Sequence, residues 1–247
     1  MGSFIMKIHR FIGNFNLKIG YIEIKDPELL NQFRNVLKLK IGERVTLCDG
    51  KINEGVAEIK EYGKDYIEVE IKEVNTNKNE PEIQVILYCA ILKRENFELV
   101  VQKATEIGIK EIVPIITERT VKLDIRKDRL EKIIREAAEQ SGRGIVPVLR
   151  EPIDFDRAVS EMDKNSVKIF FDQSGQIDRH HKTVNQPSVS KVGIFIGPEG
   201  GWTSKEIETA RTAGFEILSL GKTTLRAETA AIIGSYLAIN NTPLSEI

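Results

Sequence analysis

The sequence predicts an α/β protein built in two parts: a small β-barrel carrying one helix, then a mainly parallel sheet covered on both faces by helices. Three observations carry that expectation. Up to about residue 74, apolar residues alternate in short period-two runs separated by turn-formers. From residue 83 onward, continuous apolar runs alternate with helical patterns, as in a parallel sheet buried on both sides. Between them residues 75–82, NTNKNEPE, are polar, contain a proline and lack periodicity, which marks a linker. Domains over 1-74 and 83-247 follow.

Within the first part, residues 21–24 alternate. Asp26-Pro27 then supplies an N-cap and a first-turn proline for a helix through about Val36. Strands are expected over 44–48, 56–59 and 66–71, separated by Asp49-Gly50 and by the turn at 62–65. In the second part, strands are expected over 83–92, 111–117, 167–171, 192–196 and 217–220. Helices are expected over 96–107, 129–141, 155–162, 204–213 and 227–240, with Gly108 and Gly214 where C-terminal caps belong. Residues 1–5 precede a second methionine, Met6, and are left out of this reading.

Composition narrows the class. Apolar residues make up 41% of the chain and charged residues 30%, with no apolar run long enough to span a bilayer, so a soluble, cytoplasmic protein is expected. Cys48 and Cys89 lie far apart in strand-like runs without metal-ligand spacing and read as buried thiols. A net charge of -1 offers no global attraction to a polyanion, so any nucleic-acid partner must be met by local basic patches.

The most informative stretch is VGIFIGPEGGWTSKEIETARTA, residues 192–213. A buried strand runs into Gly197-Pro198-Glu199-Gly200-Gly201, and Thr203 opens a capping box with Glu206. Glycines there let the backbone approach a ligand closely, and the following helix adds oriented N–H donors. The loop is either such a cleft or merely a tight connection. Its spacing matches neither the dinucleotide fingerprint nor the P-loop. A second strand, glycine loop and helix follow in LSLGKTTLRAETA, residues 218–230, and two convergent loops favour a pocket. Arg226 either faces that pocket or pairs with Glu228 or another carboxylate.

The strings IGPEGG (196–201) and LGKTTLRAETA (220–230) resemble the two cofactor-loop motifs of the RsmE family of 16S ribosomal RNA uridine N3-methyltransferases. Similarity extends through LVVQKATEIGIKEIVPIITERT (99–120), REAAEQSGR (135–143) and HRFIGN (9–14), and so over nearly the whole chain. The resemblance implies a PUA-like RNA-binding barrel followed by a SPOUT methyltransferase domain whose C-terminal chain forms a trefoil knot. It further implies S-adenosyl-L-methionine (AdoMet) as methyl donor, 16S ribosomal RNA of the small subunit as partner, a homodimer, and no metal. Carried over, Ile196, Gly197, Glu199, Gly200 and Gly201 form one wall of the cofactor site. Leu220, Gly221, Leu225 and Ala227 form the other, with Phe171 at a third strand end.

On that reading Arg226 stabilises charge on a uracil oxygen, and Glu199 is either a base or a loop organiser. Arg10 and Arg143 are further substrate contacts. The first-domain helix departs from the family pattern, with Asn31 and Gln32 where histidines are frequent and Lys38 ending the run Arg34-Asn35-Val36-Leu37; a lysine keeps the charge but not the bidentate fork. The basic set Lys122, Arg126, Lys127 and Arg129 is either a solvated face or a phosphate-positioning patch. His9 is either packed or RNA-facing, and His180-His181 reads as a solvated pair. A different base or ribose as target, or a non-catalytic ribosome-assembly factor, are the rival functions.

Overall fold

The computed structural model describes residues 8–121, 124–163, 166–176 and 190–240. His180, His181 and Lys122 lie outside them. The chain divides into two compact units, the first comprising Met1–Glu80 with Ala138–Val146, the second Pro81–Ala137 with Pro147–Ile247.

The first unit contains strands β1 (His9–Ile12), β2 (Gly20–Ile24), β3 (Arg44–Cys48), β4 (Asn53–Tyr62) and β5 (Ile67–Thr76). Among the described residues they form one five-stranded sheet in the order β1-β3-β4-β5-β2; β1 pairs with β3 in parallel and the other pairs are antiparallel. Register shifts where β4 meets β5 bend the sheet. All five strands send side chains into one apolar cluster, including Phe11, Ile24, Leu47, Ile59 and Val69, which is how a small barrel buries a core. The cap at Asp26 forms as its sequence demands, its carboxylate accepting the N–H groups of Glu28 and Leu29 at the start of α1 (Pro27–Asn31). α1 passes into a π-helical turn, Gln32–Val36, that buries Phe33. Arg34 turns inward there, donating to the carbonyls of Gly63, Lys64 and Tyr66.

Residues 138–146, expected in the second domain, belong to the first unit. The reason is a set of pairings remote in sequence. The Ile12 N–H donates to Glu139 at 2.7 Å, Ile52 N–H to the Gly144 carbonyl at 2.8 Å and Val146 N–H to that of Gly50 at 3.1 Å. Ala138 and Val146 pack with Ile12 and Cys48.

The second unit holds β6 (Gln84–Ala90), β7 (Glu111–Ile116), β8 (Val148–Leu149), β9 (Ile153–Asp154), β10 (Val167–Gln176), β11 (Lys191–Ile196) and β12 (Glu216–Leu218). Their order is β12-β10-β11-β6-β7-β8, with β9 also on β7, and every one of these pairs is parallel. The intervening helices are α2 (Arg94–Ile107), α3 (Lys127–Ser141), α4 (Phe155–Glu161), α5 (Ser204–Thr212) and α6 (Ala227–Asn240). On one face α4 and α5 cover an aromatic core of Tyr88, Phe155, Phe170, Phe195, Trp202 and Phe215. α6 packs on β6, β11 and α2. Small residues let it approach closely: a Cβ on Gly234 would sit 2.8 Å from the Phe171 ring. Gly108 ends α2 in the left-handed conformation (φ 117°), as the C-cap reading requires.

Candidate functional site

A cleft of about 820 Å³ opens in the second unit at the carboxyl ends of β10, β11 and β12, where open parallel sheets bind ligands. Phe171 lies midway along β10, which runs on to Gln176 rather than ending where the sequence reading placed its end; Ile196 ends β11, and Ser219 and Leu220 follow β12; all four line the cleft. The loop after β11 supplies Gly197, Glu199, Gly200 and Gly201, and the loop into α6 supplies Leu225, Arg226 and Ala227. The structure therefore brings Arg226 and the residues expected at the cofactor to one cavity, except that Gly221 shapes the second turn (φ 149°) without lining the cleft.

Each loop is held by groups distant in sequence. Gly197 has no room for a side chain, because a Cβ would meet the Trp202 indole at 2.9 Å. That indole donates to the Phe171 carbonyl at 3.0 Å and so ties the loop after β11 to β10. Gly201 sits at φ 70°, in the left-handed region. The capping box forms, and Glu206 does more than cap: its second oxygen accepts the Glu118 N–H at 3.0 Å. Beside it, the Arg119 guanidinium donates to the carbonyls of Gly200 (2.7 Å) and Trp202 (3.2 Å). A Cβ at Gly200 would touch the Arg119 side chain at ordinary van der Waals distance, 3.4 Å from its Cδ. The exposed Glu199 carboxylate accepts the Lys93 N–H at 3.0 Å, at the N-cap of α2.

The Arg226 side chain is exposed on the cleft and has no hydrogen-bond or ion-pair partner among the described residues, Glu228 included. Two other arginines expected at the substrate behave differently. In the first unit, Arg10 donates to Glu54 at 2.8 Å and to Cys48 Sγ at 2.9 Å. Arg143, also in the first unit, is buried against Glu80 at 2.8 Å, and Glu80 further accepts the N–H groups of Gly144 and Ile145. Both guanidiniums are engaged by carboxylates of the first unit, and neither lines the cleft. Burial alone would raise the Glu80 carboxyl, but Arg143 and the two N–H groups outweigh it and hold it below the usual range. In the basic set, Arg129 pairs with Glu98, Lys127 with Glu151 and Arg126 with Asp128. His9 lies in β1, half-buried.

Trp202 and Arg119 were not singled out by sequence reasoning. The signal for Trp202 was available, since the chain's one tryptophan directly follows the glycine pair. For Arg119 the partners are about eighty residues away and leave no local trace.

The class is given by two family matches: an RNA methyltransferase domain with a PUA domain. Residues 78–238 match the family model of the RNA methyltransferase domain, and residues 33–72 that of the RNA methyltransferase PUA domain. The chain belongs to the ribosomal RNA small subunit methyltransferase E family, and its fold is a SPOUT-type methyltransferase domain preceded by a PUA-like domain. It is 30% identical to the Rickettsia conorii member over 92% of this chain and 93% of that one. With the Bacillus subtilis member it shares 30% identity over 83% and 84% of the two chains. The crystal structure of the Neisseria gonorrhoeae member, bound to S-adenosyl methionine, superposes with a TM-score of 0.81 at 32% identity, covering 92% of this chain and 95% of that one.

Proposed function

We propose that this protein transfers the methyl group of AdoMet to ring nitrogen 3 of a uridine in 16S ribosomal RNA of the small subunit. The observation that carries the reading is an arginine side chain, Arg226, unpartnered among the described residues on the rim of a glycine-walled cleft at the strand ends. The cleft suits such a cofactor: its volume is in the range of small-molecule sites, and Gly197 bares backbone because Trp202 fills the space behind it. Gly197, Gly200, Gly201, Leu220, Leu225 and Ala227 would hold it, with Phe171 and Ile196 at the floor.

Bound there, AdoMet supplies an activated methyl on its sulfonium. The chain's own task is the uracil. Its N3 lies between two carbonyls, carries a proton, and becomes nucleophilic only when that proton leaves. The Arg226 guanidinium stabilises the charge that then develops on a uracil oxygen, as preorganised donors do elsewhere. Glu199 takes the proton in this reading; its support is that it lines the cleft with one oxygen engaged by Lys93 and the other without a partner among the described residues.

The first unit docks the RNA, as its match to a PUA-domain model supports, with Arg10, Arg34 and Arg143 holding it together from within. The enzyme works in the cytoplasm as a homodimer. Leu99 and Tyr236, large apolar side chains exposed on the adjoining helices α2 and α6, support that pairing. Mass-spectrometric mapping of small-subunit RNA from cells lacking the protein is the test. One uridine should lack an N3 methyl that added protein and AdoMet restore; an unchanged methylation map would refute the assignment.

A further inference from the structure

One carboxylate in the cleft has no role in the account above. Glu228 lines the cavity, is only 9% exposed, and its Oε2 is buried with no hydrogen-bond partner. A buried acceptor without a donor is costly, and a buried carboxylate more so. Arg226, two positions earlier, does not relieve it: no ion pair joins them, as expected where side chains two apart leave a helix start in different directions. The first turn of α6 favours negative charge at this position but gives Oε2 no bond.

We infer that Glu228 holds the nucleoside half of the cofactor, its carboxylate accepting a hydrogen bond from an N–H or O–H donor of the adenosine. The inference rests on the reading that this cleft binds AdoMet. Burial selects the nucleoside. Oε2 is shielded from solvent, so its donor must be shielded with it. The ammonium of the methionine tail is strongly hydrated and is better placed where water reaches.

The test is calorimetric titration of wild type, Glu228→Gln and Glu228→Met with S-adenosylhomocysteine and with 5′-methylthioadenosine, which lacks the amino-acid tail. Thermal melts of the ligand-free proteins accompany it. Both ligands should weaken by the same factor, roughly tenfold to a hundredfold, as a hydrogen bond to a charged group is lost. The ligand-free variants should melt no lower than wild type, because the orphaned charge is gone. A third ligand, 5′-methylthioinosine, separates the donors within the adenosine. If it binds wild type as weakly as methylthioadenosine binds Glu228→Gln, the partner is the exocyclic amine; if it binds as methylthioadenosine does, the partner is a ribose hydroxyl. Unchanged affinity in both variants overturns the inference. So does a loss confined to the ligand with the tail, or a fall in ligand-free melting temperature that accompanies the loss. Failure of wild type to bind either ligand would instead remove the cofactor reading itself.

Discussion

Arg143 and Arg226 are the same chemical group in opposite situations. Arg143, in the first unit, is 3% exposed and faces Glu80, which also gathers two backbone N–H groups. The Arg226 side chain, in the second unit, is exposed on a cleft with no partner among the described residues, and the carboxylate two positions along, Glu228, is also incompletely bonded. Arginine at a family motif is therefore not evidence of one role. Pairing with the protein's own carboxylates marks structure; the solvent-facing guanidinium and the incompletely bonded carboxylate that line one cavity support the proposed site.

The largest effect expected on stability comes from breaking the paired case. Arg143→Met leaves the half-buried Glu80 carboxylate with only its two backbone N–H groups, which costs on the order of 3 kcal/mol, the low end for breaking a buried pair. Denaturant unfolding should show it, and a midpoint unmoved by the substitution would place Arg143 outside the structural class.

A smaller effect should follow pH. The folded Glu80 titrates below the ordinary glutamate value of 4.5, so its contribution is present above that value and is lost as pH falls through the depressed one. Stability should decline in acid below about pH 4.5, with a shallower decline in Arg143→Met, where the chief cause of the depression is gone. Identical acid limbs in the two proteins would contradict the pairing.

The smallest effect belongs to the surface. The Arg129 side chain, bonded to Glu98 at 2.6 Å, holds that carboxyl down at about 2, but the arginine is exposed and solvent screens the pair. Arg129→Ala should leave the unfolding midpoint nearly unchanged. If RNA binding fell sharply in that variant, the patch would be a phosphate contact.

What the sequence disclosed was local. The Thr203–Glu206 box, the Asp26 cap, the left-handed Gly108 and the bounds of α6 all depend on residues within a turn of each other. Both loops of the site were legible for the same reason: glycine after a buried strand is a local pattern. Arg119 on the Gly200 carbonyl, the Trp202 indole on Phe171 and Arg143 on Glu80 join residues 31 to 81 positions apart, and periodicity carries no information about such pairs. Residues 138–146 moved to the first unit for that reason too, because Glu139 and Gly144 find their donors on Ile12 and Ile52. Nor could spacing separate Arg143 from Arg226, since only the fold shows which of them has a carboxylate waiting.

The most direct test of that separation is single-turnover methylation by Arg226→Ala, measured beside its AdoMet affinity. If the guanidinium acts on charge that develops only as the uracil proton leaves, its effect belongs to the transition state. The rate should fall by about a hundredfold or more with affinity nearly unchanged, and Arg226→Lys should recover part of it, a point charge lacking the fork. Affinity falling in proportion to rate would make Arg226 a cofactor clamp and contradict the account.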